Sequence, residues 1–187
     1  METLEAIAQR KSCRCYEPTR VEDEKLQAIL KAANSAPLAG EISLVLITCP
    51  NMLGPMNEAS KYTMQNSGNE FLMSRVSLPG YEPYYGAPAM ILMCAPEGPY
   101  AQANCAAAAA TACIAATDLG LGSTFAATPA MAFLPEYDML QWLEIPEGHK
   151  PYFGVMLGYK AGEAFGTPSP DRTMDNVSYI LASEGCC

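Results

Sequence analysis

The stretch Tyr100–Ser123, YAQANCAAAAATACIAATDLGLGS, decides the fold. Its run of alanines and its lack of breakers predict one long helix from Tyr100 to Leu119, ended by Gly120-Leu121-Gly122. Nearly every side chain on it is small and apolar, so the helix belongs at the centre with other elements packed around it. Its longest apolar run, Cys105–Thr117, is too short to cross ~30 Å of hydrocarbon, and no charged segment leads into an apolar one at the N-terminus. The expectation is a soluble, unprocessed chain with no membrane partner.

Three short apolar runs bounded by Pro or Gly read as buried strands: Leu44–Cys49, Ala89–Cys94 and Phe153–Gly158, with a further short strand near Ser123–Ala127. Two amphipathic helices precede them. One covers residues 2–10 with Leu4, Ile7 and Ala8 at helical spacing; the other covers 22–34, with Leu26, Ile29, Leu30 and Ala33 behind an acidic first turn. A helix near Pro55–Met64 is followed, up to Pro88, by a Ser-, Asn-, Gly-, Pro- and Tyr-rich region without period, which reads as a long loop or lid. A last helix is expected near Tyr137–Leu143, stopped by Pro146-Glu147-Gly148. Beyond Tyr159 the chain loses periodicity and regains apolar character at Val177–Leu181.

With 187 residues, 50% hydrophobic and 17% charged, and with neither an internal repeat nor a long linker, residues 1–187 read as one domain. A net charge of −9 disfavours attraction to nucleic-acid phosphates and to anionic membranes. Eight cysteines are too few for a disulfide scaffold, and Cys49, Cys94, Cys105 and Cys113 lie in apolar segments, which fits reduced thiols in a cytoplasm.

Against this acidic background, more than half of the eleven basic residues fall within residues 10–31. In Arg10-x-Ser12-x-Arg14, alternate residues of an extended segment would set two guanidiniums and a hydroxyl in one row. Such a row suits an extended anion, and a solvated basic edge is the alternative. His149, the one histidine, reads as a solvated residue of a turn. Neither Cys13-x-Cys15 nor Cys186-Cys187 has zinc-ligand spacing, so no metal is expected. Tyr81, Tyr84 and Tyr85 read equally as a substrate-facing lid or as packing; Met52, Met56, Met64 and Met73 read as gap fillers in a core or dimer seam.

Several pieces together, in order, resemble the nitroreductase family of FMN-dependent oxidoreductases. Gln9-Arg10-Lys11-Ser12-Cys13-Arg14-Cys15-Tyr16 is similar to its R-R-S-x-R-x-F segment, and the helix closing on Ala36-Pro37-Leu38-Ala39-Gly40 to its A-P-S-A-G turn. Tyr85-Gly86-Ala87-Pro88 resembles Y-x-A-P, Leu119–Ser123 resembles L-G-L-G-S, Ile145–Gly148 resembles L-P-E-G, and Leu157-Gly158-Tyr159 resembles L-G-Y. The likeness spans nearly the whole chain.

The resemblance implies an α+β fold with a mixed sheet flanked by helices, in an intertwined homodimer whose interface holds two FMN sites. Residues 160–187 would form a tail crossing to the partner subunit. By position, Arg10 would bind the FMN phosphate, Ser12 would lie at the ribityl or ring edge, and Arg14 at the N1 and C2 carbonyl side, with Lys11 also among the cofactor-binding residues. Arg172 would be a phosphate ligand in the tail. Pro37, Leu38 and Ala39 would approach from the other subunit, and the backbone of Ala127 and Thr128 would face the ring near N5. NADH or NADPH would supply electrons, and a nitroaromatic, quinone or similar planar acceptor would take them. The chain departs from the pattern where Glu41-Ile42-Ser43 replaces N-x-Q-P-W, where Tyr81–Tyr85 replaces the frequent Asn and Lys, and where one basic tail residue, Arg172, stands for the usual two. Two other readings stay open: an FMN-binding protein with non-nicotinamide chemistry or a storage role, and a noncatalytic dimeric module.

Overall fold

The computed structural model describes residues 2–133, 140–162 and 173–180. The elements run α1 (Thr3–Gln9), α2 (Asp23–Asn34), β1 (Ser43–Ile47), α3 (Pro50–Gln65), α4 (Glu70–Val76), β2 (Ala89–Pro96), α5 (Ala101–Asp118), β3 (Gly122–Ala126) and β4 (His149–Gly158). Two short 3-10 turns lie between β3 and β4, at Thr128–Phe133 and Leu140–Trp142. The class is α+β, as expected.

The four strands form one sheet in the order β1-β2-β4-β3, each pair antiparallel. Among the described residues the sheet is therefore antiparallel where a mixed one was expected, and the parallel bridge from Ser12 to Ser123 is an isolated contact beside β3. β2 is buried throughout Ala89–Ala95 because both of its faces are covered. Strand alternation sends Ile91, Met93 and Ala95 to one side, where with Val155 and Leu157 they pack under α2 and α5. Met90, Leu92 and Cys94 point to the other side, where Met156, Leu53, Met56, Tyr84 and Ala132 meet them. Burying each large aliphatic or thioether side chain is worth about 1.5–3 kcal/mol, so this two-faced strand anchors the molecule.

α5 ends as the glycines predict. Gly120 adopts φ +76°, its N–H donates to the Thr117 carbonyl at 3.1 Å, and Leu121 N–H donates to the Ala116 carbonyl at 2.8 Å. That pair of bonds is a Schellman cap, and it turns the chain directly into β3. The helix is central but not fully enclosed: Ala103 and Ala110 are exposed.

Several expectations need correction. The presumed lid between α3 and β2 contains α4, started by Asn69, whose side chain accepts from Phe71 N and Leu72 N at 3.0 and 3.2 Å. α3 itself begins at Pro50, with proline in the first turn where its missing N–H costs nothing. Tyr81 and Tyr84 are buried, the first in a small cluster with Met64 and Val76, so this part of the region is packing rather than a lid. On α1 the buried residue is Ala6, while Leu4 and Ile7 are exposed. Of the apolar-segment thiols Cys49 is exposed, and of the four methionines Met73 is. His149 is no solvated turn residue. It opens β4, its side chain is 9% exposed, and its Nδ1 lies 3.0 Å from Ser43 Oγ, because β4 starts four residues earlier than its apolar run suggests. Leu140–Trp142 is a single 3-10 turn, with Tyr137–Met139 outside the described residues. Residues 173–180 contain neither helix nor strand and are exposed.

Candidate functional site

The segment Arg10–Tyr16 runs along the start of β3. Cys13 N–H donates to the Ser123 carbonyl at 2.9 Å, and Thr124 Oγ1 donates to the Cys13 carbonyl. Tyr16 OH reaches Thr124 Oγ1 at 3.1 Å and the Met156 carbonyl at 3.3 Å. Burial pushes the Tyr16 phenol well above its ordinary value, so it stays a neutral donor and fixes the end of the segment against the sheet.

β4 continues past Gly158 to meet the same segment. Tyr16 and Lys160 form an antiparallel bridge, Glu17 N–H donates to the Tyr159 carbonyl at 2.9 Å, and Ala161 N–H donates to the Cys15 carbonyl at 3.1 Å. Between these two stretches lies a cavity of about 130 Å³ lined by Lys11, Ser12, Cys13, Arg14, Cys15, Lys160, Ala161 and Gly162. Three of those side chains are cationic, one is a hydroxyl, and none is acidic. Strict alternation would have set Lys11 apart from Ser12 and Arg14, yet all three line the cavity, because Cys13 and Tyr16 are both buried and the backbone is not a uniform strand.

Arg10 sits at the end of α1, close enough to the Cys113 thiol of α5 to oppose the upward push of burial on that thiol. Pro37, Leu38 and Ala39 lie elsewhere. Ala39 N–H donates to Asn104 Oδ1 at 2.9 Å, which docks this turn on the first part of α5. Asn104 and Cys113 are nine residues apart, about 14 Å along a helix rising 1.5 Å per residue. One chain therefore keeps the Arg10–Arg14 segment and the Pro37–Ala39 turn at separate places along α5.

Ala127 and Thr128 follow β3 and turn over the sheet. Pro129 packs so tightly on Gly154 that a Cβ there would stand 2.5 Å from Pro129 Cγ. Ser60 Oγ of α3 donates to the Thr128 carbonyl at 2.8 Å, and Thr63 Oγ1 to the Met131 carbonyl at 2.9 Å, holding the turn in place. Among the described residues the buried hydroxyl of Thr128 has no hydrogen-bond partner, while that of Ser123 faces the Cys113 thiol. Leaving a buried hydroxyl unbonded is costly. Arg172, like Cys186 and Cys187, lies outside the described residues.

The donor set suits FMN. The two lysines and the hydroxyl of this cavity suit a phosphate, and its guanidinium suits an electron-rich carbonyl edge. Sequence reading missed Lys160, although a basic residue directly after Leu157-Gly158-Tyr159 was there to be noticed. Among the described residues no cluster of His, Cys, Asp and Glu could hold a metal, and no helix is long and apolar enough to span a membrane.

Comparison with known proteins identifies the family and the fold. No curated protein gives a significant match. Among solved structures, a nitroreductase with bound FMN from Bacteroides fragilis is 29% identical, with a TM-score of 0.84 over 97% of this chain and 100% of that one. A second nitroreductase with bound FMN, from Desulfitobacterium hafniense, is 27% identical with a TM-score of 0.86 and the same coverage. A BluB-like flavoprotein from Clostridium difficile, at 18% identity and a TM-score of 0.76 over 97% of this chain and 100% of that one, shares the fold. The model of the nitroreductase family matches residues 7–159, and the chain belongs to that family.

Proposed function

We propose that the protein is an FMN-dependent oxidoreductase acting as a homodimer, passing hydride from NADH or NADPH to a nitroaromatic, quinone or similar planar acceptor. The observation that carries this reading is the cationic cavity between Arg10–Tyr16 and the end of β4, in a chain whose net charge is −9. Bound there, FMN would supply the hydride-accepting centre. Arg14 would hold the N1 and C2 carbonyl side, where its fixed guanidinium stabilises the negative charge that reduction creates. Arg10 and Lys11 would neutralise the phosphate, and Ser12 would orient the ribityl or ring edge. Thr128 would offer its unpaired hydroxyl to the ring.

Two further features support the dimeric reading. Pro37–Ala39 is displaced along α5 from the cationic segment, so a site needing both takes the turn from a second copy. The exposed apolar residues of α1, Leu4 and Ile7, and the exposed alanines of α5 offer a seam. Residues 160–162 pair with their own chain, so the proposed crossing of the tail, with Arg172, begins beyond Gly162.

Purified protein should be yellow, show a flavin absorbance band and bleach with NADH or NADPH without oxygen. Colourless protein that refuses added FMN would refute the reading. Yellow protein that neither nicotinamide bleaches would leave a flavoprotein with other chemistry.

A further inference from the structure

Residues 160–187 carry two basic side chains, Lys160 and Arg172, of which Lys160 lies among the described residues. Lys160 follows β4 by two residues, and its backbone bridge to Tyr16 brings it against the cationic segment. Its aliphatic stem lies over Gly122: a Cβ on that glycine would stand 2.9 Å from Lys160 Cγ and 2.7 Å from Cys13 Sγ. Gly122 is next to Ser123, which bridges Ser12, so the stem lies beside the cationic segment while the residue as a whole stays exposed. The charge of Lys160 is felt at the Cys13 thiol, where it opposes the rise that burial produces. Lys160 lines the same cavity as Lys11, Ser12 and Arg14.

From this arrangement we infer that Lys160 is a further phosphate-binding cation of this protein. With Lys11 it forms an anion site that selects the phosphorylated flavin over riboflavin. The inference rests on the FMN reading above. Its physical basis is that a phosphate monoester carries nearly two negative charges, and an additional ammonium within reach adds a charge-assisted contact that riboflavin has no group to accept.

The test is Lys160→Met, which keeps the apolar stem over Gly122 and removes the charge, with Lys160→Arg as the conservative partner. Flavin-fluorescence titration of the apoprotein should show FMN binding weakened roughly tenfold or more in Lys160→Met and near wild type in Lys160→Arg. Riboflavin binding should be unchanged in both. Thermal unfolding of the apoprotein with inorganic phosphate adds a flavin-independent arm: phosphate should raise the midpoint of wild type more than that of Lys160→Met. Equal FMN affinity in wild type and Lys160→Met overturns the inference, as does an equal loss for FMN and riboflavin. If wild type binds no FMN, the flavin reading fails first. The phosphate arm then decides: a difference between wild type and Lys160→Met keeps the anion site, and no difference removes it.

Discussion

The Arg10–Tyr16 segment and the Ala36–Gly40 turn are built by opposite means. The first is stitched into the sheet by residues more than a hundred positions away, through Ser123, Thr124, Met156 and Lys160. The second is a local stop to α2, held to α5 by the single Asn104–Ala39 bond and the packing of Leu38. The first makes a charged cavity within one chain, whereas the second presents small apolar groups and no charge. On the proposed reading, a flavin site assembled from both would take its electrostatics from a rigid region of one copy and its shape from a lightly held region of the other.

The strongest way to break this comparison is complementation. Arg14→Ala removes a charge-assisted contact worth about 1.5–3 kcal/mol and should weaken FMN binding roughly 10- to 100-fold. Ala39→Trp should block the site sterically from the other half. If the halves come from different chains, unfolding and refolding the two variants together regenerates one intact site in each heterodimer. About a quarter of all sites then recover wild-type FMN affinity under random pairing of a two-fold dimer. Fluorescence titration of the mixture checks this, and no recovery would place both halves in the same chain.

Stability separates the regions next. Gly122→Ala puts a Cβ within 2.8 Å of Cys13 Cβ, an atom fixed close to the backbone, so the segment must move. Overpacking of this kind costs about 1–3 kcal/mol, to be read from urea unfolding, and should also weaken FMN binding. Asn104→Ala in the other region removes one hydrogen bond from a residue 6% exposed, at a cost of about 0.5–1.5 kcal/mol. A larger loss for Asn104→Ala than for Gly122→Ala would reverse the order of rigidity.

The two regions also differ in how far the sequence reveals them. Ala36–Gly40 is legible because a proline and a glycine after an amphipathic helix act locally, and the same holds for the Schellman cap at Gly120. Arg10, Lys11, Ser12 and Arg14 are legible as a cluster, but their shared cavity is not. Lys11 joins it only because Cys13 and Tyr16 both turn inward, which depends on partners in β3 and β4. Lys160 is visible in the sequence as a basic residue after Leu157-Gly158-Tyr159, but only its bridge to Tyr16 beyond the end of β4 brings it to this cavity. α4 escaped notice because its seven residues present just one apolar i,i+4 pair, Leu72 and Val76, beside the exposed Phe71 and Met73, too short a pattern to read between Gly- and Pro-rich flanks. His149 was misjudged because the strand it opens begins in Pro- and Lys-containing sequence, where no apolar alternation announces it.

The smallest expected effect is a pH dependence confined to the first region. Burial is the largest influence on the Cys13 thiol and raises its pKa from the ordinary 9.0, outweighing the bond its Sγ donates to the Cys15 carbonyl at 3.1 Å and the charge of Lys160. The folded state therefore holds its proton more tightly than the unfolded chain. Below pH 9 both states carry the proton and the contribution is fully present; as pH rises above 9 the unfolded state ionises first and stability falls. Ala36–Gly40 has no titratable side chain and cannot contribute to this slope. Urea midpoints measured at pH 8 and pH 10 should thus fall with pH in wild type and fall less in Cys13→Ala. An identical fall in both would mean that the alkaline loss arises elsewhere, Cys94 being the next group to test, since burial pushes that thiol up to about 12.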